Sequence, residues 1–299
     1  MDIRRFRSFK EGVYKYSFAM LAFASLVFLL GIILTLFMQS WQVFSTIPLT
    51  DMVFGKHWYP THEDAAFGMW PLMAGTALVT LGAMFVCVPI GVGTALYIHE
   101  LAGQRQRAFL KPLIEVLAGV PSIVYGFFGM VIVAPFLQDL LDIPTGLCAF
   151  TASLILGIMA TPTVASLSED ALSFVPRSFR EASLALGANR WQTLTKVVVP
   201  AAGSGISTAI ILGLGRAVGE TMTVLMVAGG AAAIPKGIFD PVRPMTSTIA
   251  AEMGEAVMGS LHFSALFAIG LILFLITLGV NVIAEVVSRR FRLKLGLGR

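Results

Sequence analysis

Residues 181–230 read EASLALGANRWQTLTKVVVPAAGSGISTAIILGLGRAVGETMTVLMVAGG, a polar, helix-prone segment running straight into thirty mostly apolar residues. The apolar part, 201–230, is long enough to cross a bilayer, whose core of about 30 Å needs roughly 20 apolar residues at about 1.5 Å rise each. Five further stretches meet the same demand: 17–38, 72–98, 116–137, 147–167 and 263–284, all free of Asp, Glu, Lys and Arg. Hydrocarbon offers no water to open backbone groups, so stretches of this kind span as helices. The expected fold class is all-α: a polytopic membrane protein with six transmembrane helices.

Composition agrees. The chain of 299 residues is 57% hydrophobic and only 13% charged, with mean hydropathy +0.84, outside the range of soluble domains. Lys and Arg in short loops are retained on the cytoplasmic side, and seventeen of the 21 fall in four places. These are the N-terminal tail (Arg4, Arg5, Arg7, Lys10, Lys15), the loop after span two (Arg105, Arg107, Lys111), the loop after span four (Arg177, Arg180, Arg190, Lys196) and the C-terminal tail (Arg289, Arg290, Arg292, Lys294, Arg299). Lys56, Lys236 and Arg243 fall on the opposite side, and Arg216 lies inside a span. Both termini and the loop holding Glu181 are therefore expected in the cytoplasm. The pI of about 9.2 reflects this asymmetry, not nucleic-acid binding.

The expected organisation is a basic tail over 1–16, a six-span domain over 17–287 and a second basic tail over 288–299. Within the domain, 166–200 forms a cytoplasmic loop, and 39–70 and 231–260 are external insertions. The first span exceeds the length of a signal-peptide core and no small-residue cleavage site follows it, so it is read as retained. Trp41, Trp58, Tyr59 and Trp70 read as interfacial anchors. In the second insertion, 245–258 reads as a short amphipathic helix with Ile249, Met253, Ala256 and Val257 on one side. Pro89, Gly119 with Pro121, Pro162, Gly213, Gly215 and Gly219 mark spans expected to bend or to pack closely.

Ionisable groups at membrane depth are costly and usually face a bundle interior or a watered path. Arg216 and Glu220, four residues apart in GLGRAVGETM, are expected on one face of span five, with Thr221 beside them. Arg216 lies fifteen residues past Ala201, about 23 Å along a helix, in the middle to outer half of the membrane. Its planar fork suits phosphate-like oxyanions. Glu220 would neutralise Arg216 in an empty path or accept a hydrogen bond from a protonated oxyanion; phosphate near neutral pH carries that proton and sulfate does not. A structural salt bridge that fastens span five to itself or to a neighbour is the competing reading.

In the polar segment, a helix over 176–188 would present Phe179, Ala182, Ala185 and Leu186 as a narrow apolar stripe suited to a groove on a partner. Gly187 would let the chain turn or a partner approach closely. Several chemistries find no support. Cys87 and Cys148 lie in different spans and read as buried fillers. No phosphate-binding loop motif occurs. His57, His62, His99 and His262 show no metal spacing, and no Ser/His/Asp array can be placed.

Glu181-Ala182-Ser183, Gly187 and Pro200, at their spacing after span four, resemble the EAA loop of ABC-transporter permeases. FGMWPLMAGTALVT (67–80), PIGVGTALYIHE (89–100), LAGVPSIVYGFFG (117–129) and LGLGRAVGETMTVLMVAG (212–229) resemble the phosphate permeases of the Pst system, and the PstC-type subunit more than its partner. The resemblance implies an inner-membrane permease subunit of the type I ABC importer fold, not itself an enzyme and holding no cofactor. It implies three partners: a PstA-type second permease, a dimer of ATPase subunits that bind ATP and Mg, and a periplasmic phosphate-binding protein. Glu181, Ala182, Gly187 and Pro200 would form the ATPase coupling loop, and Arg216, Glu220 and Thr221 the substrate path. Another oxyanion such as sulfate, molybdate or a phosphonate is the alternative cargo. An ion-driven secondary transporter is the alternative mechanism, although it would place ionisable residues on several spans.

Overall fold

The computed structural model describes residues 3–62 and 64–294; Met1, Asp2, Glu63 and the end of the expected C-terminal tail, 295–299 with Arg299, lie outside the described residues. In chain order the elements are α1 (Ile3–Thr46), α2 (Leu49–Phe54), a hairpin of β1 (Trp58–Tyr59) and β2 (Ala66–Phe67), α3 (Trp70–Leu96), α4 (Gln104–Ala118), α5 (Ser122–Phe128) and α6 (Ala134–Leu141). There follow α7 (Ala149–Ser173), α8 (Arg177–Ala185), α9 (Arg190–Thr193), α10 (Val199–Gly219), α11 (Met222–Val227), α12 (Met245–Glu252) and α13 (Leu261–Lys294). Wider π turns at Tyr97–Leu101, Gly129–Val133 and Leu194–Val198 extend α3, join α5 to α6 and join α9 to α10. Among the described residues, six helical stretches are long and apolar enough to span: Tyr14–Thr46, Trp70–Leu101, Ser122–Leu141, Ala149–Ser173, Arg190–Gly219 and Leu261–Val286.

The centre of the bundle is the α3–α7 pair, closed by α10 and α11. Val79 and Ala83 of α3 pack with Ala152, Leu156 and Met159 of α7 and with Val224 and Val227 of α11. Small residues let the backbones approach, which is how helices associate where no hydrophobic drive acts between them. A Cβ on Gly213 would lie 2.5 Å from Val164 Cγ2, whereas Gly215 and Gly219 have open space around theirs. Close packing therefore accounts for the first of these three glycines only. α1 packs chiefly on α13 and leaves most of its apolar surface outward.

Two π turns have a local cause. Pro135 follows Gly129–Val133, and Pro200 follows Leu194–Val198. A proline has no N–H to donate and its ring clashes with the carbonyl four residues back, so the chain widens by one residue just before it.

Several boundaries differ from expectation. The loop after span two is the helix α4, carrying Arg105, Arg107 and Lys111. Span three starts at Ser122 rather than 116, because Pro121 disfavours helix at the residue before it and interrupts the chain after Ala118. Span five is broken: α10 stops at Gly219, and Glu220 is extended at φ −70°, ψ 131°.

At one end of the bundle the two insertions form a joint cap. Met52, Trp58, Phe67 and Met69 pack against Leu72, Met245, Leu266 and Ile269. Trp58 is thus a core residue, 2% exposed, and not the interfacial anchor expected; its indole N–H donates to Glu252 at 3.0 Å. Glu252 also meets Arg243 Nη1 at 2.7 Å and His262 Nε2 at 2.9 Å, which pins both insertions to the start of α13. The expected helix over 245–258 ends at Glu252; Ile249, Met253 and Ala256 do pack inward, while Val257 is exposed.

Candidate functional site

Two breaks in the helices meet inside the bundle. α4 ends at Ala118 and α5 begins at Ser122; α10 ends at Gly219 and α11 begins at Met222. Irregular backbone within the hydrocarbon is tolerated where protein buries it or where it lines a watered path. Side chains stitch the two breaks together, with Thr223 Oγ1 donating to the Ser122 carbonyl at 3.0 Å. Thr246 Oγ1 of α12 donates to the Glu220 carbonyl at 2.7 Å.

Arg216 stands in the last turn of α10, where a cation complements the partial negative charge of a helix end. Its Nη1 donates to Thr163 Oγ1 at 2.9 Å and its Nη2 to the Ala118 carbonyl at 3.3 Å. Thr163 lies ten residues, about 15 Å, from the Ser173 end of α7, so the charge sits near mid-span. Both acceptors are neutral. Glu220 does not pair with Arg216: the helix stops between them, so the i, i+4 geometry never forms. Its Oε1 instead accepts the Thr223 N–H at 3.2 Å and caps α11. The structure thus keeps Arg216, Glu220 and Thr221 in one half-buried region but removes the common helix face expected for the first two, and with it the Arg216–Glu220 salt bridge of the competing reading. The guanidinium retains donors for an incoming anion, and the second Glu220 oxygen makes no hydrogen bond among the described residues.

At the end of the bundle opposite the cap, α8 carries the segment singled out by sequence. The helix is shorter than the expected 176–188. Pro176 stands at its N-terminal cap, and Gly187 ends it in the left-handed region at φ +84°. Gly187 N–H donates to Leu184 O and Ala188 N–H to Ser183 O, at 3.0 and 3.2 Å, the paired bonds of a Schellman cap. Asn189 and Gln192 then cap α9 reciprocally. Ser183, standing where the family pattern has Ala, is buried and bonds Thr193 Oγ1 at 2.9 Å, tying α8 to α9. The result is a groove of about 580 Å³ lined by Phe179, Ala182, Leu186, Gly187 and Val197 among others. Leu186 is 89% exposed and Trp191 is also exposed. Glu181 and Ala182 are exposed on α8, and Pro200 sits in the first turn of α10.

Between these two regions lies a charge cluster that sequence reasoning missed. Glu169 of α7, only 2% exposed, accepts from Arg107 Nη2, from Lys111 Nζ at 2.6 Å and from Ser173 Oγ at 3.0 Å. Lys111 also meets Asp170 at 2.9 Å. Hydrogen bonds to Glu169 and Asp170 push the Lys111 ammonium above its ordinary value, so it stays charged at any physiological pH. His99 Nδ1 lies 3.4 Å from Glu169, and its Nε2 lies 2.6 Å from Arg180 Nη2. Arg180 further pairs with Glu100 at 2.7 Å. A signal was present: His99-Glu100 and Glu169-Asp170 both follow directly after apolar runs, on the side where the basic residues cluster.

Residues 87–293 match the family model described as "Binding-protein-dependent transport system inner membrane component". The chain is 36% identical to the probable ABC transporter permease protein YqgH of Bacillus subtilis, over 85% of this chain and 82% of that one. It is 34% identical to the phosphate transport system permease protein PstC of Mesorhizobium japonicum, covering 98% and 94%. The PstC of Pasteurella multocida is 36% identical, covering 92% and 91%. Among solved structures, a bacterial alginate ABC transporter with its periplasmic protein superposes at TM-score 0.65 and 13% identity, covering 95% of this chain and 98% of that one. The inward-facing MetNI methionine transporter superposes at 0.57 and 19% identity, covering 75% and 97%. At such identities the structural likeness speaks to the fold, that of ABC importer permeases.

Proposed function

We propose that this chain, which belongs to the family of binding-protein-dependent transport system inner membrane components, carries inorganic phosphate into the cell as one permease subunit of an ATP-driven importer. Membership makes it a multi-pass inner-membrane transport protein. The phosphate reading draws on relatives named for phosphate transport along nearly the full chain. The single observation that carries it is Arg216, a cation near mid-span held between two broken helices by neutral acceptors among the described residues. A guanidinium without a carboxylate partner in a low-dielectric site is poised to take an oxyanion.

Glu220 sets the preference. Its free carboxylate oxygen accepts a hydrogen bond from a protonated oxyanion and repels one that lacks the proton. Glu220→Gln is expected to lower phosphate uptake and to narrow its preference over sulfate by about tenfold, the worth of one hydrogen bond to a charged group. Competition of labelled phosphate by sulfate, molybdate and a phosphonate checks it; unaltered competition removes Glu220 from selectivity, and equal uptake of sulfate by the unmutated chain would change the cargo.

The further parts of the reading are these. Both termini and α8 face the cytoplasm. A PstA-type permease completes the pathway, a periplasmic phosphate-binding protein delivers substrate at the cap, and two ATPase subunits receive α8 in a groove through Glu181, Ala182 and the exposed Leu186. ATP and Mg reside in those subunits and none in this chain. Lipid surrounds the outward faces of the spans. ATP-driven closure of the ATPase pair moves α8, the bundle opens outward to accept phosphate, and hydrolysis resets it. Gly187→Val would force a β-branched residue into the left-handed region at a cost of about 1–2 kcal/mol. Co-purification of the ATPase subunits is expected to fall about 5–30-fold; unchanged co-purification would mean that the α8–α9 turn is not part of the contact.

A further inference from the structure

We infer that Arg180 is the joint through which α8 moves the membrane bundle, and that α4 is the rod that carries this movement to Arg216; the inference rests on α8 being the ATPase contact. Among the described residues, the side-chain hydrogen bond and ion pair that link α8 to the Tyr97–Leu101 turn at the end of α3 both belong to Arg180. It lies about 100° round the helix from Phe179, so one α8 face holds the open groove while another reaches inward. The Arg180 side chain is 26% exposed, against 89% for Leu186.

From Arg180 the polar contacts run without interruption. Arg180 donates to His99 Nε2, which leaves the His99 Nδ1–H directed at Glu169 and Ser173. Glu169 holds Arg107 and Lys111, both in the first half of α4. At the other end of α4, the Ala118 carbonyl accepts from Arg216. α4 is fifteen helical residues, about 22 Å, long, with Pro112 inside it; the charge cluster holds its first half, and the transport arginine meets its last residue. α7 offers a second, shorter connection, since Thr163, which holds Nη1 of Arg216, lies six residues from Glu169.

The joint has room to shift. Arg180 Nε and Glu100 Oε1 are both buried without a hydrogen-bond partner, although the two groups lie 2.7 Å apart at their closest atoms. They attract as charges but are out of line for a hydrogen bond. A small rotation of α8 would align them, and Tyr97–Leu101, the π turn carrying His99 and Glu100, is the loosely wound end of α3 that would accommodate it. Two discrete arrangements of one ion pair are what a coupling element requires.

The test uses the assembled importer in proteoliposomes with its phosphate-binding protein, measuring phosphate taken up and ATP hydrolysed in the same sample. With Arg180→Gln, ATP hydrolysis continues and the phosphate moved per ATP falls about tenfold. The exchanged pair, Arg180→Glu with Glu100→Arg, recovers a substantial part of the ratio, about a third or more, while each single change alone does not. A merely structural role would lower both activities together through lost assembly, and would not be mended by the exchange. An unchanged ratio in Arg180→Gln, or an exchanged pair no better than its singles, overturns the joint. Uptake by the unmutated importer that ignores ATP would overturn the ATPase reading itself, and the joint with it.

Discussion

Arg216→Gln is expected to reduce phosphate uptake by about a hundredfold or more in phosphate-starved cells while the permease stays in the membrane with its partners. Glutamine keeps one amide donor and removes the charge. The loss is that of two or more charge-assisted hydrogen bonds to an oxyanion, each worth about 1.5–3 kcal/mol. Stability should change far less, because what Arg216 holds in the empty chain is a threonine hydroxyl and one helix-end carbonyl, neither a buried charge. Membrane level and co-purification must match the unmutated chain. Normal uptake under those conditions would make Arg216 a structural clip between α4, α7 and α10, and the path would have to lie elsewhere. The large expected effect on transport and the small one on stability separate the two roles.

Glu169→Ala should do the reverse, lowering stability first. Glu169 is buried and engages Arg107, Lys111 and Ser173, with His99 beside it. Removing its carboxylate leaves two cations one turn apart on the same face of α4, with Asp170 paired to Lys111. Breaking a buried pair from one side costs about 3–5 kcal/mol; partial water access to Arg107 and Lys111 places the expectation near about 3 kcal/mol. Thermal unfolding of the purified chain in detergent reads this directly. A change below about 1 kcal/mol, the scale of a surface pair, would show that the cluster is solvated and does not clamp α4 to α7.

Much of the architecture was legible from residue order. The six apolar runs appear as expected, because span length and hydropathy are local properties that the bilayer reads one stretch at a time. Gly187 was legible in part: a turn there was one of its two expected roles, but the helix was expected to run on to 188, whereas it ends at Ala185 in the glycine cap. The Arg216–Glu220 relation was not legible. Spacing assumes a continuous helix, and the backbone stops at Gly219 because tertiary partners satisfy the opened groups: Thr246 on the Glu220 carbonyl, and Thr223 bonding Ser122 across the breaks.

Trp58 shows the same limit at the cap, where an aromatic residue suited to the headgroup level is buried against α13 by the packing of two distant insertions and held by Glu252. Apart from Ser173 and Glu169 within α7, the Glu169 cluster joins residues 58 to 81 positions apart, and nothing in one-dimensional order pairs a particular acid with a particular base. The sequence by itself determined the membrane class, the number of spans and the permease family, since each depends on composition, length or local pattern. Only the tertiary structure decided which charges meet and where the spans break, because these depend on neighbours that supply the hydrogen bonds a broken helix gives up.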